Sequence, residues 1–126
     1  MEKQQLINQS EWPIMELLWE SPKTLMELVN TLTQTIGWSK STITTLVRRM
    51  DNKGLITYHT VGRAKVFRPT LSRQEATTRE ANFLLDRAYN GSLGLLVNAM
   101  VQQNSLTKND IEELYAILKE AEGGIK

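Results

Sequence analysis

Basic side chains are concentrated between Trp38 and Arg68 of this 126-residue chain. The stretch carries seven cations and a single anion, Asp51, although the formal charge of the whole chain is only +1. The cations are Lys40, Arg48, Arg49, Lys53, Arg63, Lys65 and Arg68. Because so one-sided a charge distribution attracts phosphate groups, the stretch predicts a surface that contacts a polyanion.

The rest of the chain offers no arrangement of side chains that favours catalysis. His59 is the sole histidine, and there is no cysteine to serve as a nucleophile or metal ligand. Glu112 and Glu113 are adjacent, so on a helix they point about 100° apart and form no paired-carboxylate site. The glycines stand singly apart from Gly123-Gly124, which excludes a phosphate-binding glycine-rich loop. We therefore expect no enzyme activity, no catalytic residue, no metal ion and no cofactor.

The sequence from Ser39 to Lys53 predicts an amphipathic helix that ends at Gly54. At about 100° per residue, one sector of this helix is apolar and holds Ile43, Leu46, Val47 and Met50. The opposite sector and its flanks hold Ser41, Thr42, Thr44, Thr45, Arg48, Arg49 and Asn52. Short hydroxyl side chains permit close approach to base edges, and guanidinium groups reach phosphates or guanine. This face predicts a recognition helix for the major groove of DNA.

A β-hairpin is predicted directly after this helix. Residues 55–60 and 65–68 are rich in aromatic and β-branched side chains, and residues 61–64 separate them as a turn. Arg63 lies at the tip and Lys65 follows it. On its own, this turn is as readily an ordinary solvated loop. Next to the predicted recognition helix, we interpret it as a wing that contacts the DNA backbone.

Five further helices are indicated by apolar periodicity and capping residues. The first opens at Ser10 and carries Trp12, Met15 and Trp19, and the second opens at the capping box Thr24/Glu27. After Pro69, the other three are predicted from the capping box Ser72/Glu75, from Leu93, and from Thr107 with Asp110. The fold class is therefore mainly α with a small β-wing. We expect a winged helix-turn-helix DNA-binding domain over residues 1–70 and a C-terminal three-helix region over residues 71–126.

The C-terminal region has more apolar surface than three short helices can cover. Small domains bury only about 60% of the surface of their unfolded chains, so a partner subunit is the expected cover. Residues 1–70 contain nine basic and six acidic side chains and residues 71–126 contain six and eight, which indicates two parts with different roles. The candidate dimerisation residues are Phe83, Leu84, Leu93, Leu96, Val97, Met100, Ile111, Leu114, Tyr115 and Leu118.

Composition also bears on the location of the chain. No run approaches the roughly 20 apolar residues that cross a bilayer, and Met1 to Ser10 lacks the apolar core of a signal peptide. We therefore expect a cytoplasmic protein without membrane insertion. Winged helices also serve as protein-interaction modules, so a module that does not bind specific DNA remains the alternative interpretation.

Three ordered motifs resemble the BlaI/MecI family of bacterial repressors, which includes the CopY copper repressors. They are Glu11-Trp12-x-Ile14-Met15-x-Leu17-Leu18-Trp19, the block from Trp38-Ser39 through Thr42-Ile43-x-Thr45-Leu46 and Arg49-Met50 to Lys53-Gly54, and Leu106-Thr107-x-x-Asp110-Ile111-Glu112-Glu113-Leu114. The resemblance implies a homodimeric repressor that binds an inverted repeat in promoter DNA. Family contacts to DNA carry over to Thr42, Thr45 and Arg49. Ser41 and Thr44 stand where relatives often carry Lys or Arg.

The signal that relieves repression is where the chain departs from this family. In β-lactam-responsive members a membrane sensor system triggers cleavage of an Asn-Phe bond, and the aligned bond here is Ala99-Met100. Asn98 lies one place too early for that pattern. Copper-responsive members end in clustered cysteines, and this chain has none. Control of a resistance or stress operon, relieved by proteolysis or by another signal, therefore stays open at this point.

Overall fold

The computed structural model describes residues 6–124. Its elements, in chain order, are α1 (Trp12–Glu20), β1 (Lys23–Thr24), α2 (Leu25–Thr35), α3 (Lys40–Lys53), β2 (Ile56–Val61), β3 (Ala64–Pro69), α4 (Arg73–Ala88), α5 (Leu93–Gln102) and α6 (Lys108–Gly124). The chain divides into two compact units, residues 1–80 and residues 81–126. The predicted mainly α fold with a small wing is confirmed.

The N-terminal unit is organised around one apolar core. Side chains from α1, α2, α3, the sheet and the start of α4 meet there, and the best buried are Ile14, Met15, Leu28, Ile43 and Met50. The periodicity of α3 therefore has the predicted consequence, since its apolar sector faces the core and its polar sector does not. Leu71 and Ala76 also belong to this core, so the N-terminal unit continues into α4 beyond Thr70.

The first helix begins differently from the sequence prediction, which placed its cap at Ser10. The N-cap is Glu11, and Ser10 lies in the preceding turn. Glu11 does not cap the helix with its side chain; its carboxylate instead accepts a hydrogen bond from the backbone N–H of Asn8. Because a buried carboxylate needs partners, this contact draws the chain before α1 over the end of the helix.

Three antiparallel strands form a sheet in the order β1-β3-β2. The wing is the β2–β3 hairpin, in which Val61 pairs with Ala64 and only Gly62 and Arg63 form the turn. Gly62 has φ +63°, a conformation that a two-residue hairpin turn requires and that glycine adopts readily. The sequence analysis did not predict β1, because two residues that pair with β3 give no periodicity of their own.

The C-terminal unit consists of the second half of α4, α5 and α6. Neither α5 nor α6 contains a buried residue. Tyr115 is 73% exposed and Leu118 is 57% exposed, although both lie on the apolar stripe of α6. Large apolar side chains are rarely left uncovered over a whole helical region, so this unit has the surface of a subunit that associates. No helix among residues 6–124 is long and apolar enough to span a bilayer.

Capping boxes begin three of the helices, and each lowers the pKa of its carboxylate. The pairs are Thr24 with Glu27, Ser72 with Glu75, and Thr107 with Asp110. In each pair the backbone N–H of the first residue donates to the carboxylate, and this bond is the largest cause of the lowered pKa, followed by the hydroxyl group. The three boxes predicted from the sequence are confirmed.

We expect these caps to make folding stability depend on pH in the acid range. A carboxylate whose pKa is lower in the folded than in the unfolded chain stabilises the fold above its unfolded pKa, and the contribution disappears as pH falls through the folded pKa. The free energy of unfolding should therefore fall between about pH 5 and 3. Urea denaturation of the triple variant Glu27→Gln, Glu75→Gln, Asp110→Asn should show a shallower fall. An identical pH dependence in both proteins would contradict this role of the caps.

Candidate nucleic-acid interface

Helix α3 presents a continuous polar face to solvent. Its apolar residues Ile43, Leu46, Val47 and Met50 are buried. The exposed residues of the opposite face are Ser41, Thr42, Thr45, Arg48, Arg49 and Asn52. Because no other element that the structure describes in the N-terminal unit covers these side chains, this face is free to meet a ligand, and its hydroxyl, amide and guanidinium groups suit nucleotides.

The start of α3 is held by a hydroxyl network. Ser39 accepts a hydrogen bond from the backbone N–H of Thr42 at 3.2 Å, and its own hydroxyl donates to Thr42 Oγ1 at 3.1 Å. The Thr42 hydroxyl thus keeps its proton for an outside acceptor. Thr44 differs, because its hydroxyl donates to the Lys40 carbonyl at 2.8 Å and its side chain is only half-exposed. Of these two residues, Thr42 is the better placed to contact a base or a phosphate.

The wing carries exposed cations close to its turn. Arg63 occupies the turn and is exposed, and Lys65 is exposed on β3. Lys65 Nζ lies 4.5 Å from the centre of the Tyr58 ring, and this ring in turn packs against Phe67 with a centroid distance of 5.6 Å. The cation is therefore held against an aromatic face on the wing. Sequence reasoning identified Lys65 but not Tyr58, because the cross-strand diagonal that joins them depends on the hairpin register.

Lys53 does not belong to the exposed basic surface on which the sequence analysis placed it. Its ammonium group lies 2.9 Å from one carboxylate oxygen of Glu11 and 3.1 Å from the other. Glu11 is fully buried, and the Lys53 side chain is 19% exposed. The charge of Lys53 is therefore matched within the chain. No sequence pattern indicates this pair, because 42 positions separate its members.

His59 lies on the exposed part of β2, as a solvated strand residue would. Its Nδ1 is 3.5 Å from a guanidinium nitrogen of Arg68. This contact is long for a hydrogen bond, and the side chain faces solvent beside a second cation. The position does not resemble that of a general base, which needs a substrate site within reach.

The comparison with known families agrees with this geometry. The family model of the penicillinase repressor matches residues 7–120. The chain belongs to the penicillinase repressor family. The match spans the winged helix and all three C-terminal helices, so it includes both units and confirms the predicted BlaI/MecI resemblance.

Relatives in this family are similar to the chain over nearly its whole length. The penicillinase repressor of Bacillus licheniformis is 31% identical over 121 residues, which are 95% of this chain and 94% of that protein. The methicillin resistance regulatory protein MecI of Staphylococcus aureus (strain N315) is 24% identical over 113 residues, 89% of this chain and 92% of MecI. Both family members are named as regulators, and the prediction of a repressor and not an enzyme is confirmed.

A solved structure supports the fold of the N-terminal unit. The DNA binding domain of the repressor BlaI is 29% identical to this penicillinase repressor family member, with a TM-score of 0.53. The similarity covers 60% of this chain and 93% of that domain. The predicted winged-helix fold is therefore confirmed, and the relatives favour DNA binding over the alternative of a protein-interaction module. The individual DNA-contacting residues and the domain boundaries remain predictions.

Proposed function

We propose that the chain represses transcription in the cytoplasm by binding an inverted repeat in promoter DNA as a homodimer. The observation that carries this proposal is the exposed hydroxyl and guanidinium face of α3 on a winged-helix core. Helix α3 lies in the major groove, where Thr42, Thr45 and Arg49 meet base edges. Arg48 and the wing residues Arg63 and Lys65 contact phosphates, and Ser41 and Thr44 lie beside the bases without a defined preference.

The C-terminal unit supplies the dimer contact. An apolar groove of ≈ 270 Å³ is lined by Val97, Val101, Leu106, Ile111, Leu114, Tyr115 and Leu118. Because α5 and α6 bury no residue within one chain, a second copy of the same surface is the cover that a twofold dimer provides. Several exposed apolar residues beyond the predicted set extend this surface: Leu95, Val101 and Ile117. Two copies related in this way present their α3 helices to half-sites about 34 to 36 Å apart.

Proteolysis in the C-terminal unit would relieve repression. The Ala99-Met100 bond lies within α5, near its end at Gln102. Cleavage there would detach α6 and most of the dimer surface, so the two α3 helices would no longer be tethered. A membrane sensor system would trigger this step. Mass spectrometry of the protein from induced cells should show a fragment that ends at Ala99, and an intact chain in derepressed cells would exclude this route.

Selection of bound sequences from random duplex DNA tests the proposed function. We expect an inverted repeat whose half-sites are centred about one helical turn apart. Matching this repeat to promoters of the host genome would then identify the regulated operon, and we propose that it serves resistance or stress. Recovery of sequences without a shared repeat would contradict a sequence-specific dimeric repressor.

Arg49→Ala and Thr45→Ala should each weaken binding to the selected repeat by about 1 to 3 kcal/mol, the cost of removing one base-specific interaction. Both side chains are exposed, so neither change should lower the thermal midpoint. Fluorescence anisotropy titrations on the selected repeat and on a scrambled duplex measure the effect. Lys108→Ala is a charge-matched control for Arg49→Ala, because Lys108 is exposed on α6, outside the winged helix. An equal loss on both duplexes would assign the residue to phosphate positioning instead.

A further inference from the structure

A buried ion pair joins the start of α1 to the last turn of the recognition helix. Glu11 is 0% exposed, and its two carboxylate oxygens lie 2.9 and 3.1 Å from Lys53 Nζ. The backbone N–H of Asn8 also donates to Oε1 of Glu11, at 2.9 Å. The carboxylate is thus held from two directions, and it fixes the ammonium group at one place on the surface of α1.

Stability alone does not account for this pair. Removing two charges from water is costly, and well-packed apolar residues in place of a buried ion pair are often neutral or stabilising. The contact does supply direction, since hydrogen bonds depend on angle whereas apolar contacts do not. Ile43 and Met50 attach α3 to the core through apolar contacts, and these tolerate small rotations of the helix about its axis.

The two ends of α3 are therefore fixed by different contacts. At its N-terminal end, the Thr33 hydroxyl donates to the Trp38 carbonyl at 2.9 Å, just before the Ser39 cap. At its C-terminal end the fixed contact is Lys53 with Glu11. Arg49 lies one turn before Lys53 on the same side of the helix. A guanidinium group that meets a guanine edge through two hydrogen bonds requires a defined helix position, so a shift of this last turn would displace Arg49.

We propose that the Glu11–Lys53 pair is a positioning contact that sets the orientation of α3 for specific DNA recognition. Lys53 acts through the helix it ends and does not itself neutralise a phosphate. This inference rests on the proposed DNA-binding function. It predicts that loss of the pair lowers discrimination between DNA sequences more than it lowers affinity for DNA in general.

The test compares the wild-type homodimer with the double variant Glu11→Gln, Lys53→Met. Both charges are removed together, and the glutamine keeps an oxygen for the Asn8 N–H. We expect a folded protein whose ratio of affinities for the selected repeat and a scrambled duplex falls by about tenfold. Affinity for the scrambled duplex and its salt dependence should stay unchanged. Lys53→Arg, which keeps the cation and its donors, should retain most of the discrimination.

Three outcomes would overturn the proposal. One is an unchanged affinity ratio in the folded double variant. Another is an equal loss on both duplexes with a salt slope that is smaller by about 0.9 per phosphate no longer neutralised, since this would make Lys53 a phosphate ligand. If the double variant does not fold, Glu11→Asp shortens the carboxylate in its place, and an unchanged ratio there is the third. Wild-type protein that fails to discriminate between the duplexes would instead contradict the proposed function.

Discussion

Leu118→Lys should dissociate the protein into monomers and weaken binding to the inverted repeat by about 10²- to 10⁴-fold. Leu118 is 57% exposed and lines the apolar groove of the C-terminal unit. An ammonium group at this place would have to lose its water without a partner when two copies associate, which is costly. Once the subunits separate, each half-site is bound independently, and the gain from an effectively high local concentration disappears.

Glu120→Gln is the matched control for this prediction. It adds the same charge as Leu118→Lys, but two positions further along α6 and therefore on the opposite face of the helix. Sedimentation equilibrium should report a dimer for the control and a monomer for Leu118→Lys, with a similar affinity for an isolated half-site. A Leu118→Lys protein that remains dimeric and binds the full repeat normally would contradict the proposed dimer surface.

Trp19→Ala should destabilise the N-terminal unit by about 3 kcal/mol, the lower end of the range for large aromatic side chains. Trp19 is only half-buried, but it makes three separate contacts. Its indole Nε1–H donates to the Leu71 carbonyl at 2.9 Å, its ring packs against Trp12 at 5.7 Å, and the Arg73 guanidinium stacks over it at 4.9 Å. These contacts hold the segment between β3 and α4 on α1, so their removal should loosen the end of the winged helix.

Trp19→Phe separates packing from hydrogen bonding at this position. The phenyl ring keeps most of the contact with Trp12 but has no donor for the Leu71 carbonyl, so it should cost about 1 kcal/mol. Urea denaturation of all three proteins at one protein concentration measures both differences. A near-neutral Trp19→Ala variant would show that the side chain is dispensable for packing.

The parts of the fold that were predicted from the sequence depend on local signals. The polarity of α3, the capping boxes and the wing all follow from residues within one or two turns of each other. Gly54, for example, ends α3 in the left-handed conformation with φ +82°, as its place after Lys53 indicated. The exposed face of the recognition helix therefore follows from helical periodicity alone.

Features that join distant parts of the chain could not be predicted in this way. The Glu11–Lys53 pair and strand β1 depend on partners about 40 residues away, and no periodicity indicates them. Lys53 was grouped with the exposed cations because a charge count treats every basic residue alike. The helix cap at Ser10 was wrong for a related reason, since burial of the Glu11 carboxylate reorganises the turn before α1.

The most direct test of DNA recognition by α3 is to map the bound surface by NMR during titration with the selected duplex. Backbone amides and side-chain groups of residues 41–49 and of the wing, residues 62–65, should show the largest chemical-shift changes. The buried residues Ile43 and Met50 should keep their contacts with the core. Changes confined to other surfaces, with the polar face of α3 unaffected at saturating DNA, would contradict the claim that this face reads the promoter.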